Sequence, residues 1–141
     1  MIEHAVVWWC ALANSPLISI VDDDSSIREA TKGLLEAYGY DAVAFASAEE
    51  FLDSEQLAST SCLVTDVRMT GLSGIDLFRR LLNIGHRIPT IFMTAHPEDH
   101  VRVTALKMGA RCFLTKPVRE ESFISCLEGA LSECNNGPAG R

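Results

Sequence analysis

The chain has 141 residues, the length of one ordinary domain, and its 48% hydrophobic and 22% charged residues exclude the composition of a disordered segment. Lysine plus arginine is 12 against 19 aspartate plus glutamate, and the net charge of −7 disfavours a protein that grips a phosphate backbone, so no direct nucleic-acid binding is expected. The five cysteines, Cys10, Cys62, Cys112, Cys126 and Cys134, contain no C-x-x-C pair, so zinc-ribbon and thioredoxin-like sites are unsupported; reduced, mostly packing thiols are expected, as in the cytosol.

The amino terminus opens with an apolar run, Ala5 to Ala13, about half the length a membrane-spanning helix needs. Glu3 is the only charged residue before it, and without a basic n-region secretion is disfavoured. Residues 1–16 are read as an apolar extension, which is an extra element, a partner-contact segment or the mark of a mis-assigned start codon, and its Trp8-Trp9 pair is expected to pack on something. Leu17 to Val21 is a predicted strand. Asp22-Asp23-Asp24-Ser25 follows, then Ile27, Ala30, Leu34, Leu35 and Tyr38 at helical spacing, with Gly39 as the stop. Val43 and Phe45 alternate within Asp41 to Ala46, a second strand, and Ser47 with Glu50 forms a capping box for the next helix. Cys62 to Thr65 is the third strand, ending at Asp66. The turn-rich segment Met69 to Gly74 leads into a helix carrying Ile75, Phe78 and Leu82 and closing at Gly85. Pro89 to Met93 is the fourth strand, and Pro97 is an early residue of a helix that continues through Val101, Leu106 and Met108 to Gly109. Cys112 to Thr115 is the fifth strand. A last helix from about Glu120 places Phe123, Ile124, Leu127 and Leu131 on one face.

Five βα units of this kind predict an α/β fold, a flavodoxin-like doubly wound (βα)5 with a parallel sheet in the order 2-1-3-4-5, over residues 17–132, followed by a flexible tail over 133–141. In that order strand 2 lies at an edge, and ligands bind outside the carboxyl ends of strands 1, 3, 4 and 5. Chemistry-bearing residues follow those four strands: Asp22-Asp23-Asp24, Asp66, Thr94, and Lys116-Pro117. Strand 2 ends in Phe45-Ala46-Ser47. Each residue has a plain alternative: Asp24 or Ser25 as a cap for the first helix, Thr94 as a cap for the fourth, Lys116 as a surface charge and Asp66 as a loop residue. Together they describe one crevice. Clustered carboxylates repel unless a cation intervenes, and a hard ion such as Mg²⁺ takes oxygen ligands while leaving positions open to phosphate. A lysine and a hydroxyl beside it suit a phosphoryl group, for which an aspartate can be the covalent acceptor. His4, His86, His96 and His100 are scattered and are read as surface or loop residues.

With Ile20-Val21-Asp22-Asp23-Asp24, Asp66-Val67-Arg68-Met69, Ser73-Gly74, Thr94-Ala95-His96 and Lys116-Pro117 in this order and spacing, the chain from about Leu17 to Leu131 resembles the receiver domains of two-component response regulators, the FixJ-like subgroup most. The resemblance implies that Asp66 is the phosphoacceptor, that Asp23 ligates Mg²⁺ directly, that Asp22 acts mainly through water, and that the Arg68 backbone carbonyl is a further ligand. It implies that Thr94 and Lys116 contact the phosphoryl oxygens, and that Phe113 is a switch aromatic whose rotation follows Thr94; core packing explains Phe113 almost as well. Asp24 is assigned to the first helix's amino terminus rather than to the metal.

The implied function is a cytoplasmic, phosphorylation-controlled signalling switch, not an enzyme beyond assisting its own phosphorylation and dephosphorylation. Its partners would be a sensor histidine kinase, a second copy or another protein at the face of the fourth helix, fifth strand and fifth helix, with no membrane involved. Two departures stand out. Thr70 occupies the position where the family usually has proline, which predicts a less rigid loop and an altered phosphoryl lifetime. FixJ-like regulators usually continue into a helix-turn-helix module, which leaves a stand-alone receiver or a truncated one as the two expectations here. The rivals are a phosphorylation-independent interaction module of the same fold and an aspartyl-phosphate phosphatase of the haloacid dehalogenase type. Arg68 stands where that phosphatase class needs its second aspartate.

Overall fold

The computed structural model describes residues 16–140, with side chains through Ser132. The apolar run Ala5 to Ala13 and its tryptophans lie outside the described residues. The elements in chain order are β1 (Leu17–Val21), α1 (Ser25–Ala37), β2 (Asp41–Phe45), α2 (Ala48–Leu52), a 3-10 turn (Glu55–Ser59), β3 (Cys62–Asp66), α3 (Gly74–Asn83), β4 (Thr90–Thr94), α4 (Asp99–Lys107), β5 (Cys112–Thr115) and α5 (Glu120–Gly140). The five strands are parallel and ordered β2-β1-β3-β4-β5, as the sequence pattern predicts.

Why the strands read as apolar runs rather than alternations is plain from the layers. Ile18, Ile20, Val64, Ile91 and Met93 pack on one face of the sheet against Leu35 of α1 and Phe123, Ile124 and Leu127 of α5. Val21, Leu63 and Phe92 point to the other face, where they meet Phe51 of α2, Leu77, Phe78 and Leu81 of α3 and Ala105 of α4. Both faces are covered, so every residue of β3 and β4 is buried. Among the described residues no helix is long and apolar enough to cross a membrane.

Helix ends follow local chemistry. Asp24 caps α1, its carboxylate accepting from the backbone N–H groups of Ser26 and Ile27 at 2.9 and 3.3 Å. Ser47 caps α2 through the Glu50 N–H, while the Glu50 carboxylate reaches back to Ala46 N–H, one residue beyond the Ser47 N–H that the reciprocal box would use. Two expectations are corrected. Pro97 precedes α4 rather than opening it, because Glu98, the N-cap, is extended and the helix begins at Asp99. In backbone, α5 runs on through Gly140, over the segment read as a tail at 133–141. Finally, Cys112 and Cys126, expected as reduced packing thiols, are paired in a disulfide with Cα atoms 6.4 Å apart. The fold lays β5 against α5, and a sequence separation of 14 hides that proximity from any short-spacing rule.

Candidate acidic site at the carboxyl edge of the sheet

Strand register assembles the site. Val21 of β1 is level with Thr65 of β3, so the next residues, Asp22 and Asp66, emerge side by side. Asp66 is level with Met93 and Thr94 with Thr115, so Thr94 and Lys116 follow at the same edge. Asp22, Asp23 and Asp66 each offer a carboxylate oxygen within 4.8 Å of the others. Lys116 Nζ donates to Asp22 Oδ2 at 3.0 Å and lies 3.3 Å from Asp66 Oδ2. Lys116 is therefore no surface charge: its side chain is 12% exposed. The Lys116-Pro117 peptide bond is cis.

Each acid is held differently. Asp22 is wholly buried; its Oδ1 accepts from Asp24 N–H at 2.9 Å, and its own backbone carbonyl accepts from the Arg28 guanidinium at 2.8 Å. Asp23 is exposed, and its Oδ2 accepts from the Thr70 N–H at 3.1 Å and the Thr70 hydroxyl at 3.4 Å. Asp66, 9% exposed, also receives the backbone N–H of Arg68. Burial and the neighbouring Asp22 charge push the Asp66 carboxyl above its ordinary value, against the opposing pull of Lys116. The Lys116 ammonium is also raised: burial works against it, but the hydrogen bond and charge of Asp22, with the charge of Asp66, outweigh burial. The result is a basic carboxylate, incompletely neutralised, beside a lysine that stays cationic.

Backbone packing fixes the tip of β3. A Cβ on Gly74 would overlap the Asp66 carbonyl oxygen, so glycine alone lets α3 start this close to the strand end. Gly74 N–H donates to the Val67 carbonyl at 2.9 Å, and the Thr65 hydroxyl donates to the Asp66 carbonyl at 3.0 Å. The loop between is tied on both sides. Thr70 reaches Asp23 as described, and the Glu49 carboxylate accepts from Leu72 N–H at 3.1 Å beside Gly71, which has φ +82. The loosening expected from Thr70 is thus offset by donors a proline could not supply, since proline has no N–H. Glu49 is not among the residues that the sequence pattern singles out.

Thr94 is 1% exposed, and its hydroxyl accepts from His96 N–H at 3.1 Å; it does not cap α4, whose N-cap is Glu98. The Arg68 side chain leaves the acids and pairs with Glu98. Phe113 is half-buried, with its ring 6.2 Å from that of Phe92, on the α4 side of β5. The donor set of Asp22, Asp23 and Asp66 is all oxygen, which suits a hard divalent cation of the Mg²⁺ type rather than zinc.

Residues 18–128 match the family model described as the response regulator receiver domain. The response regulator protein TodT of Pseudomonas putida is 39% identical over 115 residues, 82% of this chain and 51% of that protein. Among solved structures, the response regulator StyR superposes with a TM-score of 0.83 at 37% identity, covering 90% of this chain and 64% of that one. FixJ-N superposes with a TM-score of 0.75 at 33% identity, covering 83% and 94%. The chain spans about half the length of the curated relatives it matches.

Proposed function

The chain belongs to the response regulator receiver domain family, and from that premise we propose that it is a phosphorylation-activated signalling switch in which Asp66 accepts a phosphoryl group from a partner histidine kinase, in the cytoplasm and with Mg²⁺. One observation carries this reading: the Asp66 carboxylate lies at the sheet edge with the Lys116 ammonium 3.3 Å away and two further carboxylates around it.

An Asp66 carboxylate oxygen attacks phosphorus in line; the bond from phosphorus to the donor's imidazole nitrogen breaks, its electron pair stays on that nitrogen, and an acyl phosphate forms. Lys116 balances charge on the phosphoryl oxygens, and Thr94 offers them its hydroxyl. Asp22, Asp23, Asp66 and the Arg68 carbonyl would hold Mg²⁺, which when bound neutralises negative charge on the transferring group. Water later attacks phosphorus, the bond to Asp66 breaks, and inorganic phosphate leaves with the carboxylate restored. Lys116, held cationic chiefly by Asp22, remains available as the charge partner.

The acyl phosphate at Asp66, carrying close to two negative charges where the carboxylate carried one, would draw the Thr94 hydroxyl toward the phosphoryl group, and Phe113 would repack into the space beside Phe92 and Phe78. The face of α4, β5 and α5 is the proposed partner surface, for a second copy or another protein; α4 carries two exposed large apolar residues, Val103 and Leu106. An apolar groove lined by Ile27, Ala30, Leu34, Pro117 and Phe123 adjoins Lys116 and offers the kinase a place to dock. This is regulation, not turnover of a separate substrate.

The test is to incubate the full chain with Mg²⁺ and acetyl phosphate and weigh it intact. One added phosphoryl mass, lost in Asp66→Asn and on chelation, is the expected result. No gain would favour an interaction module independent of phosphorylation, and rapid turnover of phosphomonoesters would favour a phosphatase.

A further inference from the structure

The mechanism above makes no use of Cys112 and Cys126, yet the fold brings them together across the seam between β5 and α5. Their Cα separation of 6.4 Å falls inside the range that a disulfide bridges without moving the backbone. Neither is sealed in the core. Both are partly buried at the rim of the cluster that holds Ile91, Phe123 and Leu127, so a small thiol reagent can reach them, unlike Cys62, which is wholly buried.

We propose that Cys112 and Cys126 form a reversible dithiol/disulfide site that exchanges with low-molecular-weight disulfides of the glutathione type, and that closing it restrains α5 on β5. In the closing reaction one protein thiolate attacks a sulfur of the small disulfide, whose other sulfur leaves as a thiolate and takes up a proton. The second protein thiolate then attacks the mixed disulfide, forming the Cys112–Cys126 bond and releasing a second small thiol. Two electrons pass from the protein pair to the small disulfide, and the two thiol protons end on the two released thiols. The cross-link joins the strand that carries Phe113 to the helix behind it. Cys112 and Leu114 face α5, whereas Phe113 faces α4, so closure bears on the strand backbone and the helix, not on the aromatic ring. Its regulatory meaning rests on the partner-face reading above; its chemistry does not.

The test equilibrates the full chain in glutathione buffers of graded ratio, traps free thiols by alkylation, and maps the products by peptide mass. A single two-thiol transition assigned to Cys112 and Cys126 is expected. A pair that stays closed in excess reduced glutathione, that never closes, or that pairs instead with Cys10 or Cys134 overturns the proposal. Hydrogen exchange of the Phe123 to Leu131 amides reads the mechanical consequence: roughly tenfold slower in the closed form, with no redox dependence in Cys112→Ala or Cys126→Ala. Equal exchange in both redox states of the wild-type chain would refute the restraint. No phosphodonor enters either measurement, so failure of Asp66 labelling and failure of this site are separate results.

Discussion

Replacing Lys116 by methionine removes the cation between two acids while keeping most of the side chain's volume. At separations of 3.0 and 3.3 Å, each attraction is about 5 kcal/mol at an effective dielectric constant of ~20, a gross figure from which the lysine's own burial must be subtracted. Removing one member of a buried pair costs about 3–5 kcal/mol, because the partner left behind is a charge without compensation. Asp22 fits that description, being wholly buried, and Asp66 escapes part of the penalty by taking up a proton. A loss on the order of 3 kcal/mol is therefore expected in chelator at neutral pH, enough to weaken a domain of ordinary stability without unfolding it. Urea unfolding followed by circular dichroism reads this as a midpoint lowered by on the order of 2 M, for a slope of about 1.5 kcal/mol per M. The loss should shrink on acidification, as Asp66 is protonated, and should shrink also when Asp66→Asn is added, a coupling that a double-mutant cycle measures. A loss under about 1 kcal/mol, or one indifferent to Asp66, would show that Lys116 does not neutralise this cluster.

Asp66→Asn alone should stabilise the metal-free protein at neutral pH. A carboxyl whose pKa is raised by folding binds its proton more tightly in the folded state, so stability falls as pH rises from the ordinary carboxylate value through the raised one; the benefit of asparagine should vanish below about pH 4, and thermal melts across pH check it. Thr70→Pro removes both donors to Asp23 and should weaken Mg²⁺ binding by roughly tenfold in calorimetry, whereas Thr70→Ala, which keeps the N–H at 3.1 Å, should lose much less; equal losses would deny the N–H its role. Gly74→Ala should cost more than about 2 kcal/mol in urea unfolding and impair labelling of Asp66, because the methyl would push α3 off the Asp66 carbonyl; a neutral result would mean the helix start can shift freely.

The sheet order was legible because function and topology constrain each other. Acids, hydroxyl and lysine fall after β1, β3, β4 and β5 and not after β2, and only an order that puts β2 at the edge gathers them. Register explains why this works at the level of single residues: parallel strands that start level deliver Asp22, Asp66, Thr94 and Lys116 to one edge. Helix faces were less legible. Ile75, Phe78 and Leu82 mark an apolar stripe on α3, and Phe78 is buried as expected, yet the residues wholly buried there are Leu77 and Leu81, because α3 lies against both β3 and α2 and its buried arc is wider than the stripe.

What escaped the sequence is whatever depends on two distant segments meeting side by side. Glu49 takes the Leu72 N–H across 23 positions, Thr70 takes Asp23 across 47, and Cys112 meets Cys126 only because α5 doubles back along β5. None of these has a local spacing that signals it. The loop after Asp66 makes the point most sharply. Read alone, threonine in place of proline subtracts stiffness from the chain. In the fold it adds a backbone donor and a hydroxyl aimed at Asp23, one of the acids expected to hold the cation, so the same substitution that frees the backbone couples the loop to the metal's ligands. A residue's effect on rigidity therefore depends on which partner the topology has brought within hydrogen-bonding distance.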